Sequence, residues 1–110
     1  MDRETLLANA AAVLKMRTHD EGLPDPRAGL TALGKAWAGV LSLSLGIDVP
    51  PLRADVCALM LVAMKVNRAA LRLHSDDYVD AVNYLAFAAQ LRPPPRDDAE
   101  ARRIVGNAQR

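Results

Sequence analysis

Apolar residues recur along this chain at three- and four-residue spacing, in four blocks parted by Pro, Gly and short polar turns. That period is the signature of helices with one buried face, not of strands, whose side chains alternate. The first block opens at Asp2 or Thr5 and reaches about Arg17, with Leu6, Ala10, Val13 and Leu14 on one face. Gly22, Pro24 and Pro26 then hold residues 18–26 in a loop that also carries His19, Asp20, Glu21 and Asp25.

A second helix is predicted from about Arg27 to Leu45, its apolar stripe drawn from Leu30, Leu33, Trp37, Val40, Leu41 and Ser44. Gly29, Gly34 and Gly39 lower its propensity by about 1 kcal/mol each, so close approach to another backbone is expected there. Gly46 is placed to cap its end, and Asp48-Val-Pro-Pro to turn the chain. A third helix runs from Pro51 to about Leu73, with Val56, Leu59, Met60, Ala63, Val66, Ala70 and Leu73 as its buried face. Ser75 is the expected N-cap of the fourth, Asp76 and Asp77 favour the positive end of its dipole, and Pro93-Pro94-Pro95 stops it. Asp97-x-x-Glu100 resembles a capping box, which allows a short terminal helix in the tail. The expected fold is all-α: an antiparallel four-helix bundle over residues 1–95, with residues 96–110 as a C-terminal helix or tail.

Composition agrees and adds a constraint. Of 110 residues, 51% are hydrophobic but only 4% aromatic, and Ala dominates. A core of small side chains buries little area per helix, so a homo-oligomer is expected. The net charge of +1 argues against general nucleic-acid binding, which draws on a basic excess. Cys57, the single cysteine, forms no internal disulfide and sits in an apolar run as an inert thiol. No stretch is expected to span a membrane and no signal core opens the chain, which suggests a cytoplasmic protein.

The candidate chemistry gathers between Lys65 and Leu91. Lys65, Arg68 and Arg72 share one helical stripe by i, i+3, i+7 spacing, and Asp77, Asp80 and Tyr84 share another on the next helix. Across a tight hairpin the two stripes meet at its flank, with His74 at the turn. Two readings stand side by side. In one the charges form a structural ion-pair ladder. In the other Lys65, Arg68, Arg72, His74, Asp77, Asp80 and Tyr84 bind a phosphate-bearing ligand, the bases taking phosphate and the acids the sugar or base edges. His19 is a second-rank candidate, and Trp37 is read as core. A Mg²⁺ site of Asp76, Asp77 and Asp80 is the enzymatic alternative, although bases stand on the facing helix where such a site wants acids. No phosphate loop or nucleophile elbow is present.

Two resemblances attach to these residues. The run DDYVDAVNYLAFAAQL resembles the later acidic helix of MazG-like all-α nucleotide pyrophosphatases. That likeness implies a magnesium-dependent hydrolase, but the acid-rich half of the motif is replaced here by MLVAMKVNR. A wider pattern is carried by Arg17, Gly22, Pro24, Trp37, Asp55, Val56, Met60, Lys65, Arg68, Asp76, Asp80 and Tyr84. It resembles small uncharacterised proteins of tailed phages, with Glu21 where that family has Tyr. This second likeness implies a phage setting in a host cytoplasm. In that setting the Lys/Arg stripe beside Asp and Tyr, with its incomplete metal site, leads to the expected function: nucleotide binding without catalysis or cofactor, as in sequestering a host immune nucleotide signal. A metal-dependent pyrophosphatase and a structural helical oligomer are the alternatives.

Overall fold

The structure, a computed structural model, describes residues 1–16, 25–72 and 74–94. These form four helices: α1 (Arg3–Lys15), α2 (Pro26–Leu45), α3 (Ala54–Arg72) and α4 (Ser75–Leu91). The protein is an all-α helical bundle, as its periodicity predicts. The expected C-terminal helix, the His19 loop, Arg17 and Leu73 lie outside the described residues.

Local chemistry sets the ends. The Asp2 carboxylate accepts the Thr5 N–H at 2.7 Å and opens α1. That bond and the Thr5 hydroxyl hold the Asp2 carboxyl below its ordinary pKa. Asp25 does the same for α2, accepting from Arg27 N–H at 2.8 Å, with Pro26 in the first turn. Gly46 ends α2 in the left-handed region (φ 69°), and its N–H donates to the Ser42 carbonyl. The Ser42 hydroxyl ties down the turn, donating to Ala38 O at 2.7 Å and accepting from Val49 N–H at 2.9 Å.

Two predicted boundaries move. α3 starts at Ala54, three residues after Pro51, because the first helical bond runs from Cys57 N–H to Arg53 O. Ser75 is the first residue of α4 and not its cap. His74 holds the cap position and makes no side-chain capping bond.

Packing is centred on the α3–α4 hairpin, with α2 against α3 and α1 against α4. Leu30, Cys57, Ala58, Ala88 and Leu91 form the core, with Trp37, Leu33, Leu61 and Phe87 packed around them. At Gly34 the backbones meet. A Cβ there would overlap the Leu52 carbonyl oxygen, while Leu52 N–H donates to Gly34 O at 3.3 Å. The close approach expected of the glycines is therefore real at Gly34. Gly29 and Gly39 face open space.

The predicted buried face of α3 is wrong. Leu59, Met60, Ala63, Val66 and Ala70 are exposed and Val56 is half-buried, while Asp55, Cys57, Ala58 and Ala69 are buried. At 100° per residue the buried positions centre roughly 115° round the helix from the predicted face. The helix has a clear polar stripe, and that stripe of Lys65, Arg68 and Arg72 turns towards α4, where the acids of α4 meet it, so apolar periodicity selected the other side. Small residues let α4 approach, and Lys65 needs its carboxylates. By length and composition alone α2 is long and apolar enough to cross a membrane, with 17% of that window buried; the core helix of a soluble protein and a signal sequence pass the same test.

Candidate functional site

The charged side chains of the hairpin meet inside it. Antiparallel register follows from the ion pairs: residue numbers in contact sum to about 145, as for Lys65 with Asp80 and Arg68 with Asp77. Lys65 Nζ lies 3.0 Å from Asp80 Oδ2 and 3.9 Å from Asp77 Oδ1, and Arg68 Nε lies 3.5 Å from Asp77 Oδ1. The Asp77 side chain is 2% exposed and that of Lys65 12%, against 44% for Arg68. Lys65 and Asp77 lie on the packing face itself, while Arg68 and Arg72 stay exposed at its flank.

Burial decides what each group is able to do. Lys65 is held by two carboxylates, so its ammonium positions them and is not offered outward. Asp77, in the first turn of α4, turns inward from the helix end, and its Oδ2 is buried without a hydrogen-bond partner among the described residues. Two cations face two anions, with Asp77 and most of Lys65 buried, Asp80 partly covered and Arg68 exposed. Arg72, His74 and Asp76 are exposed and take part in no ion pair among the described residues, so they form an open rim with Arg68. Tyr84 sits one turn deeper, its ring edge-on to Phe87 at 6.2 Å, and belongs to the margin of the core more than to the rim.

Residues for Mg²⁺ do not fit. Among the described residues no group of three His, Cys, Asp or Glu side chains is placed to hold a metal ion. A lysine ammonium stands between Asp77 and Asp80, and α3 supplies no carboxylate opposite them. Asp55, ten residues from Lys65, is about 15 Å away along the helix.

Sequence reasoning missed two buried polar residues. Asp55 is 2% exposed and takes Arg53 Nε at 3.1 Å and Nη2 at 3.3 Å. Asn83 is buried three residues beyond Asp80, on a spacing that was legible but assigned no role. Beside Asp55, burial first and then that carboxylate push the Cys57 thiol pKa up, so it stays protonated and inert. The open depression of about 480 Å³ lies elsewhere, between Asp25, Arg27, Ala28, Thr31, Ala32 and Lys35 at the start of α2. Its lining is largely apolar, so the charge chemistry and the concavity are separate features.

The class defined by these features is a small helical bundle with a charged hairpin seam. Residues 5–92, which take in nearly all of the four helices, match the family model DUF6378, a domain of unknown function, and the chain belongs to that family. No curated protein and no solved structure matches it.

Proposed function

We propose that the turn end of the hairpin binds a phosphate-bearing small molecule, a nucleotide in the first instance, without turning it over. The carrying observation is the Asp77 carboxylate, buried with one oxygen lacking a donor beside an arginine that is half open to solvent. Burying Asp77 and most of Lys65 is a poor way to stabilise so small a domain, since apolar residues of similar volume do as well or better. Buried, imperfectly paired charges recur at binding sites. Arg68, Arg72 and His74 on the rim supply phosphate donors, and Asp77 takes a hydroxyl or amino hydrogen of the ligand once the rim parts. The resemblance to tailed-phage proteins supports capture of a host immune nucleotide as the biological form of this binding.

Isothermal titration tests it against phosphate, pyrophosphate, nucleoside mono-, di- and triphosphates, cyclic oligonucleotides and ADP-ribose. At least one should bind, and Arg72→Ala should weaken it about tenfold, the worth of one charge-assisted hydrogen bond. The ligand should be recovered intact. Silence across the panel ends the proposal, and Mg²⁺-dependent release of pyrophosphate replaces it with a hydrolase.

A further inference from the structure

One charged group at the turn end of the hairpin lacks what its surroundings give the others. Asp80 Oδ2 has the Lys65 ammonium at 3.0 Å, and Asp76, Arg72 and His74 stand in solvent. Asp77 Oδ1 has Arg68 Nε at 3.5 Å and Lys65 Nζ at 3.9 Å, both beyond ordinary hydrogen-bond length. Its buried Oδ2 has no donor at all among the described residues. The charged groups of α1 and α2 (Arg3, Glu4, Lys15, Arg27 and Lys35) are exposed, and none of them pairs with it among those residues. An ionised carboxylate only accepts hydrogen bonds, so what Asp77 lacks is a proton donor.

We infer that the group seated beside Asp77 is the terminal phosphate of a phosphate monoester, held with a proton on one of its oxygens, and that phosphodiesters and sulfate are refused. This rests on the reading that the turn end takes phosphate, and it narrows the class of ligand. Arg68 spans two environments, since it is 44% exposed and yet turns its Nε to Asp77, with Arg72 one turn further on. An oxyanion drawn to these guanidinium groups arrives beside a carboxylate that is 2% exposed, where water screens little. Two negative oxygens brought together there repel. One proton held between them turns that repulsion into a short charge-assisted hydrogen bond. The second ionisation of a phosphate monoester falls at about pH 6, so the proton is at hand near neutrality. A phosphodiester or a sulfate has no oxygen that keeps a proton there. Asp80 and Asp76 make no such demand, the first being held by Lys65 and the second solvated.

Calorimetry on the full chain compares adenosine mono- and triphosphate, each with the methyl ester of its terminal phosphate, and inorganic phosphate with sulfate. The first of each pair should bind about tenfold tighter or more, the worth of one charge-assisted hydrogen bond. Charge alone does not separate the monophosphate pair, because the methyl ester and the protonated monophosphate carry the same single charge. Above about pH 6 the proton comes from solvent, so monoester affinity should fall towards tenfold per pH unit, and heats in two buffers should show proton uptake. Asp77→Asn, whose amide brings its own N–H, should abolish the uptake and let the methyl esters and sulfate bind as well as their partners. His74→Gln should weaken binding yet keep the slope with pH. The wild-type pairs decide the matter even if Asp77→Asn does not fold. Methyl esters that match their parents in the wild type overturn this inference and leave the broader reading standing, as does binding of cyclic oligonucleotides or ADP-ribose alone. A preference that survives Asp77→Asn also overturns it. Silence from every probe ends both readings.

Discussion

The two ends of the α3–α4 hairpin hold the same helix pair together with opposite materials. Near the turn, Lys65, Arg68, Asp77 and Asp80 meet between the helices. At the far end the contact is Cys57 and Ala58 against Ala88 and Leu91, with Leu30 of α2 behind them. Small apolar side chains let backbones come close but resist sliding only weakly, since one alanine resembles the next. Ion pairs are directional, and the two shortest across the seam, Lys65–Asp80 and Arg68–Asp77, share one register. Packing therefore supplies contact at the far end, while charge fixes alignment at the turn end.

The strongest way to break this comparison is to orphan the buried charges. Asp77→Ala removes the carboxylate of Arg68 and the farther of the two that hold Lys65, which keeps Asp80, and should cost about 1–3 kcal/mol in denaturant unfolding. Replacing Lys65, Arg68, Asp77 and Asp80 together by Met, Met, Leu and Leu should recover most of that stability and abolish phosphate binding. A quadruple variant that still binds would place the ligand elsewhere. At the apolar end, Gly34→Ala drives a Cβ into the Leu52 carbonyl, where backbone and not a flexible side chain must yield. A loss of about 1–3 kcal/mol is expected, read as a lowered melting temperature. Gly39→Ala meets no such obstacle and should raise stability by about 1 kcal/mol. The smallest effect concerns Cys57. Buried and with its thiol pKa raised, it should resist alkylation at pH 8 in the native protein and react once unfolded.

How much of this was legible in the sequence varies with the strength of local signals. Helix ends were read well where one residue type carries the physics, as at Gly46 with its positive φ and at Asp2. They shifted where several residues compete, as at Pro51 and Ser75. The membership of the charged cluster was readable from i, i+3, i+7 spacing, because two helices joined by a tight turn must run side by side. Its burial was not. Spacing says which side chains share a stripe, and on α3 the apolar contrast pointed away from the charged stripe that α4 covers. Asp55 and Asn83 escaped for the same reason: nothing local records that a neighbouring helix will cover a polar group.

The sequence by itself determined four helices, their approximate limits and the grouping of charges, since propensity, capping and periodicity act within a few residues. The tertiary structure decided that Lys65 and Asp77 lie inside while Leu43 and Met60 lie outside. It also decided that of three exceptional glycines in α2 only Gly34 meets another backbone. Those outcomes depend on which faces of neighbouring helices come together, a choice that helices with small side chains leave to the mutual fit of the whole bundle.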